Sequence, residues 1–91
     1  MYNIFSMTNK LEMFKKRLIY RASYRGTKEM DILLGSFVNK FINDFNEKDL
    51  IELENFLDFD DDIIINFYNY DVAEKKIHLN KISKLFKNHK V

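Results

Sequence analysis

Apolar residues recur along this chain at the three- and four-residue spacing of a helix, and almost nowhere at the alternating spacing of a strand. The 91 residues include no proline and only two glycines, so little interrupts the helical pattern. We therefore predict an all-α fold, a small compact five-helix bundle in a single domain. That domain is expected to cover residues 8–88, between a flexible N-terminus at 1–7 and a flexible C-terminus at 89–91.

Two long segments are expected to form the first two helices. The first should begin at Thr8 or Asn9, where Asn9 with Glu12 forms a capping-box pattern, and should run to about Tyr24. The second should cover residues 27–45, where Gly35 interrupts a broad apolar face and calls for either close packing or a kink. The apolar stripes are Leu11, Phe14, Leu18 and Ala22 in the first helix, and Met30, Leu33, Leu34, Phe37, Phe41 and Phe45 in the second.

Three shorter helices are expected to follow. Asn46 is a good N-cap for a third helix that reaches Phe59. The aspartates of the DFDDD run, residues 58–62, suit the cap and first turn of a fourth helix. Asp71 with Glu74 repeats the capping pattern for a last helix. From that last helix, the residues expected in the core are Ile77, Ile82, Leu85 and Phe86.

Charge is unevenly distributed along the chain, although the net charge is only +1. Residues 1–30 carry seven basic and two acidic side chains, residues 31–71 two and eleven, and residues 72–91 six and one. A basic block is therefore followed by an acidic block and a second basic block. Such segregation can steer a charged partner, or it can let a basic helix lie beside an acidic one, and the sequence leaves both explanations open.

Composition narrows the function classes. No cysteine is present, which removes disulfides, thiolate metal sites and thiol nucleophiles. The first residues lack the apolar stretch and cleavage site of a secretory signal, and no apolar run approaches the roughly 18 residues that a membrane span needs. We expect a cytoplasmic protein that does not insert into a membrane, with either Met1 or Met7 as its start.

The DFDDD run resembles part of a calcium-binding loop. Asp58, Asp60 and Asp62 match the first three ligand positions of such a loop. However, Ile63 stands at its glycine position and Asn69 at its closing glutamate, so the geometry that the ion needs is missing. Helix capping by the same acids is the better interpretation.

The histidines and serines do not complete a zinc or catalytic site. His78 lies one turn after Glu74 in the predicted last helix, but zinc needs three or four ligands. His89 is expected in a frayed C-terminal tail. The serines lack a glycine-framed elbow and an evident base. We therefore predict no metal site, no catalytic residue and no enzyme activity for this chain.

The stretch RASYRGTKEMD, residues 21–31, is the strongest candidate for function. Gly26 should take the left-handed conformation that ends the first helix, and Glu29 suits the positively polarised start of the second. A turn of this kind does not require Arg25, which we expect to project and to bind a carboxylate of a partner. Arginines interleaved with tyrosines also fit a nucleic acid, although a pI of about 7.9 is low for that class.

The longer run KRLIYRASYRGTKEMDILLGSF resembles the succinate dehydrogenase assembly factors, the small flavinylation factors called SdhE in bacteria. It looks most like the alphaproteobacterial members of that family. Arg25, Gly26 and Glu29 occupy the R-G-x-x-E motif that these factors share. The resemblance covers about residues 15–87.

The resemblance implies a five-helix monomer that binds the flavoprotein subunit of succinate dehydrogenase or fumarate reductase and promotes covalent attachment of FAD to that partner. We expect no stably bound cofactor and no nucleic-acid partner for the factor itself. By analogy, Arg25, Gly26 and Glu29 form the partner-binding surface, and the predicted geometry adds three neighbours. These are Arg21, Tyr24 and Asp31. A nucleic-acid-binding module and a toxin-antidote-type adaptor remain the alternative classes.

Overall fold

The computed structural model describes residues 4–70 and 77–91, with side chains from residue 9 onward. Within these residues the chain forms five α-helices, one short 3-10 helix and no strand, which confirms the predicted all-α, five-helix fold. The helices are α1 (Ile4–Ser23), α2 (Lys28–Phe41), α3 (Glu47–Leu57), α4 (Asp61–Asn69) and α5 (Lys81–Lys87), and the 3-10 helix is Ile42–Asp44.

One hydrophobic core joins the helices. α1 packs against α2 and α3, and α5 packs against α3 and α4. The apolar face predicted for the second helix lies in this core, where the rings of Phe41 and Phe86 are 5.4 and 5.3 Å from the buried ring of Phe37. Each fully buried side chain of this kind stabilises the fold by roughly 1.5–3 kcal/mol. The buried apolar residues are Leu18, Ala22, Met30, Leu33, Leu34, Phe37, Val38, Ile42, Phe45, Leu50, Leu53, Phe56, Leu57, Ile64, Phe67, Ile77, Ile82 and Phe86.

Gly35 lets the end of α1 lie close against α2. A Cβ atom at this position would sit 3.1 Å from the hydroxyl oxygen of Ser23 and 3.5 Å from its Cα. The shorter distance is tighter than an ordinary van der Waals contact, so a larger residue would require the neighbouring serine to shift. Close packing therefore accounts for this glycine, and it brings the last residue of α1 directly against α2 before the chain turns.

α1 begins earlier than predicted. Asn9 and Glu12 lie inside the helix, where the backbone hydrogen bonds continue through them, so the predicted capping box is wrong. Residues 9–13 are all exposed, and Leu11 is 39% exposed instead of packing in the core. The apolar stripe of α1 joins the core only from Phe14 onward.

The junction of α2 and α3 is tighter than predicted. α2 ends at Phe41, and the chain continues as the 3-10 helix, a common way for a helix to end. Phe45 then takes an extended backbone and is buried. The cap of α3 confirms the prediction: the side-chain oxygen of Asn46 accepts the backbone N–H of Asp49 at 2.9 Å, and the Asp49 carboxylate accepts the Asn46 N–H at 3.2 Å.

The last helix begins later than predicted. Asp71 and Glu74, the residues predicted to cap it, lie outside the described part of the chain. Residues 77–80 are described and are not helical, so the prediction is wrong there. A capping box starts α5 instead, because Asn80 accepts the Ser83 N–H through its side chain and donates its own N–H to the Ser83 hydroxyl, both at 2.9 Å.

His89 is packed against the bundle, so the expectation of a frayed tail is wrong for this residue. Its side chain is buried, and its Nε2 lies 2.9 Å from the hydroxyl of Ser36 on α2. Tyr68 on α4 donates its hydroxyl hydrogen to the backbone carbonyl of His89. Burial, followed by the nearby charge of Lys40, lowers the pKa of His89. His78, by contrast, is exposed and lies outside α5. The domain boundaries at residues 8 and 88 stay a prediction.

Candidate partner-binding site

The turn between α1 and α2 carries the R-G-x-x-E motif. Gly26 has a φ of +114°, which confirms the positive φ predicted for it. Among the described residues, apart from its chain neighbours, no heavy atom lies within 4 Å of the position that a Cβ would take at this glycine. The backbone of the turn therefore requires a glycine, and the space above it is open to an approaching chain.

Arg25 lies immediately before this glycine and turns inward. Its Nη1 and Nη2 donate to the backbone carbonyls of Leu57 and Phe59 at 2.6 and 2.7 Å. Its Nε donates to the carboxylate of Asp61 at 2.8 Å, and the arginine side chain is only 11% exposed. The prediction that the guanidinium projects toward a partner is therefore wrong.

The end of α3 explains this inward position. The last carbonyls of a helix have no hydrogen-bond donor within the helix and need one from elsewhere. The planar guanidinium presents several N–H groups in a fixed fork, so Arg25 can satisfy two carbonyls and a carboxylate at once, which the smaller ammonium of a lysine cannot match. Arg25 thereby ties the α1–α2 turn to the loop between α3 and α4.

Two more contacts hold the turn from the α2 side. The carboxylate of Asp31 accepts the backbone N–H of Arg25. The hydroxyl of Thr27, the N-cap of α2, accepts the backbone N–H of Met30 at 3.3 Å. Asp31, which the sequence placed among the partner-binding residues, thus has a structural role in fixing the backbone of the motif.

Arg21 is also paired within the chain. Its Nη2 lies 2.5 Å from the carboxylate of Asp58, on the loop that follows α3. Each of three ion pairs joins a basic block of the sequence to the acidic block, which supports the intramolecular explanation of the charge segregation. These pairs are Arg21 with Asp58, Arg25 with Asp61, and Lys81 with Asp49.

The remaining predicted site residues face solvent around the turn. Tyr24 is 69% exposed, and Gly26 and Glu29 are also exposed. Within the described chain, the Glu29 carboxylate makes no hydrogen bond or ion pair. The structure thus divides the predicted site into two groups. Three residues face outward, Tyr24, Gly26 and Glu29, and three support the turn, Arg21, Arg25 and Asp31. Binding of a partner by either group stays a prediction.

An open groove of about 620 Å³ adjoins this turn, and we call it the α1/α3–α4 groove. One side consists of Tyr20, Tyr24 and the two paired arginines, and the other consists of residues 57–62. Sequence reasoning did not find this groove. The two sides are more than thirty residues apart in the chain, and only the folding of α1 against α3 brings them together.

One protein family matches most of this chain. Residues 16–90 match the protein family described as "Flavinator of succinate dehydrogenase". The chain belongs to this family. The matched residues include all six predicted site residues and both sides of the groove, and the match confirms the resemblance recognised in the sequence.

Three relatives illustrate the similarity. The chain is 41% identical over 65 residues to "Succinate dehydrogenase assembly factor 2, mitochondrial" of Scheffersomyces stipitis, covering 69% of this chain and 44% of that protein. It is 40% identical over 47 residues to "FAD assembly factor SdhE" of Acetobacter pasteurianus, covering 52% and 43%. These matches span less than half the length of either relative. A protein of the same name from Wigglesworthia glossinidia brevipalpis is 32% identical over 79 residues, covering 85% and 92%. No solved structure matches the chain.

Two features of the described residues bear on other classes of site. No helix among residues 4–70 and 77–91 is long and apolar enough to cross a membrane. Over the same residues, no group of three or more histidine, aspartate or glutamate side chains is arranged to hold a metal ion. Two aspartates of the DFDDD run instead pair with arginines, since Asp58 contacts Arg21 and Asp61 contacts Arg25.

Proposed function

We propose that this chain binds the flavoprotein subunit of succinate dehydrogenase, or of fumarate reductase, and promotes covalent attachment of FAD to that subunit. Family membership and the names of the relatives support the proposal. The observation that carries it is the hydrogen-bonded turn, in which Gly26 leaves space for a partner and the carboxylate of Glu29 has no partner in the described chain.

The chemistry of attachment belongs to the flavoprotein in this proposal. The partner would supply the groups that react with its own flavin, and the factor would contribute position alone. Holding reacting groups in a productive arrangement can lower a barrier by roughly 7–11 kcal/mol in favourable cases, without any new chemical group. The factor therefore needs a well-defined binding surface, and it needs neither a catalytic residue nor a cofactor of its own.

The turn suits such a surface for two physical reasons. Gly26 has no side chain, so the backbone of a partner can approach the turn closely. Glu29 lies in the first turn of α2, where its exposed charge is available to a cation on the partner. Arg25 and Asp31 hold both residues in place through bonds that do not involve the exposed surface.

Co-expression of the flavoprotein with variants of this chain tests the proposal. Gly26→Arg should abolish covalent flavinylation, because the new side chain fills the space that the partner needs. Glu29→Ala should reduce it by weakening the complex. Glu47→Ala is a matched control, since Glu47 is also an exposed acid in the first turn of a helix. Covalent flavin is measured by its fluorescence in a denaturing gel.

The outcomes separate clearly. Wild-type flavinylation with Gly26→Arg would refute the assignment of the turn as the contact surface. An equal loss of flavinylation with Glu47→Ala and Glu29→Ala would show that flavinylation depends on the negative charge of the chain in general and not on Glu29 in particular. Far-UV circular dichroism of each variant excludes unfolding as the cause of a loss.

A nucleic-acid function receives less support from the geometry. Arg21 and Arg25, two of the cations that would contact phosphates, already pair with Asp58 and Asp61. A phosphate would have to displace these carboxylates before it could bind the guanidinium groups. A salt-dependent gel shift with the purified chain would revive this alternative.

A further inference from the structure

The α1/α3–α4 groove combines exposed aromatic rings with unpaired carboxylates. Tyr20 and Tyr24 are 65% and 69% exposed, and their ring centroids are 4.6 Å apart. Across the groove, Asp60 and Asp62 are exposed and make no side-chain hydrogen bond or ion pair within the described chain. The other two aspartates of that side are already neutralised by arginines.

The net charge of the groove lining favours a ligand of opposite charge. Its lining holds two arginines and four aspartates, so the net charge is −2. The positive end of the α4 dipole accounts for acids at the start of that helix, since Asp60 is its N-cap and Asp62 lies in its first turn. It does not account for two large aromatic side chains exposed beside them.

Aromatic faces next to carboxylates are the surroundings that bind a guanidinium group. A cation within about 6 Å of a ring centroid is attracted to the face of the ring, and an arginine plane stacks on such a ring. A carboxylate accepts the two parallel N–H groups of the same guanidinium. Both kinds of group line this one groove, whereas an anion or a purely apolar segment would leave the free carboxylates without a partner.

We propose that the α1/α3–α4 groove binds an arginine side chain of the flavoprotein partner. The proposal rests on the proposed function and deepens it by naming the chemistry of a second contact. Tyr24 and Arg25 belong to both the turn and the groove, so a partner seated over Gly26 lies beside the groove entrance. Arginine suits such a position because it is enriched among the residues that dominate protein interfaces.

Titration calorimetry of the full chain with the flavoprotein subunit, at low and high ionic strength, tests the groove. Asp60→Asn with Asp62→Asn should weaken binding about fivefold at low salt and less at high salt. Tyr24→Ala should weaken binding by about fivefold at both salt concentrations, whereas Tyr24→Phe should bind like the wild type because the ring face is retained. Asp44→Asn with Glu47→Gln is the control, with the same charge change near the opposite end of α3.

The results separate a failure of the proposed function from a failure of the groove assignment. If the wild-type chain does not bind the flavoprotein, the proposed function fails, and the groove assignment fails with it. If it binds and the groove variants match the wild type at both salt concentrations, only the groove assignment is overturned. Equal losses in the control pair would also overturn it, because a general charge effect would then explain the data.

Photo-crosslinking identifies the occupant directly. Tyr24 replaced by p-benzoylphenylalanine should crosslink to a flavoprotein peptide that contains an exposed arginine, and substitution of that arginine by alanine should reproduce the loss seen with the two aspartate substitutions. A crosslinked peptide without any arginine would contradict the proposal.

Discussion

Replacing Arg25 with alanine is expected to destabilise the whole fold. The change removes the donors to two backbone carbonyls and one carboxylate. Removing one partner of a buried charged pair costs about 3–5 kcal/mol, since the remaining groups keep the cost of burial. Because the Asp61 side chain is 28% exposed and water can reach it, we take the lower end, about 3 kcal/mol.

Chemical and thermal unfolding followed by far-UV circular dichroism measures this effect. For a domain of this size, about 3 kcal/mol corresponds to a Tm lower by roughly 12–24 °C. Arg25→Lys should lose somewhat less, since one ammonium keeps the charge but cannot reach all three acceptors. Arg17→Ala is the control, because Arg17 is an exposed arginine on the same helix, and its loss should change stability by less than about 1 kcal/mol.

A double-mutant cycle with Asp61→Ala separates the ion pair from the two carbonyl contacts. If Arg25 acts as described, the two single variants should not be additive, because they share one interaction. An Arg25→Ala variant with wild-type stability but lost flavoprotein binding would refute this reasoning. It would mean that the guanidinium leaves α3 in solution and contacts the partner itself.

Two further predictions concern local strain and pH. Gly26→Ala should lower stability by about 1–2 kcal/mol in thermal unfolding, since the positive φ is strained for any residue with a Cβ even though space is free; a change below about 0.5 kcal/mol would contradict this. The lowered pKa of His89 means that the unfolded chain takes up a proton more readily than the folded one, so stability should fall as the pH drops from about 6.5 through the folded pKa. In the His89→Gln variant, the free energy of unfolding should depend less on pH over that range. If its dependence on pH matched that of the wild type, His89 would not be the group that titrates.

Local features of the fold were predictable because their partners lie three or four residues away. The cap of α3 pairs Asn46 with Asp49, and the positive φ of Gly26 follows from the end of one helix and the start of another. The apolar face of α2 was equally visible, since helical periodicity alone decides which side chains share a face. The predicted start of the last helix was wrong at residues 77–80, because the capping box of Asn80 and Ser83, a second local signal, was overlooked.

The role of Arg25 was not predictable in this way. Its acceptors include the carbonyls of Leu57 and Phe59, which lie 32 and 34 residues away. Every residue has a backbone carbonyl, so an acceptor of this kind leaves no mark in the residue type and becomes visible only when the chain is folded. His89 is a similar case, because its burial depends on contacts with α2 and α4.

The sequence alone was enough to identify the five helices, the cap of α3, the glycine turn and the family. The tertiary structure decided which motif residues face outward and which support the turn, and it created the groove beside Tyr24. The reason is the range of the interactions. Helix formation and capping depend on neighbours along the chain, whereas a satisfied arginine and a groove between α1 and the α3–α4 loop depend on how the helices pack.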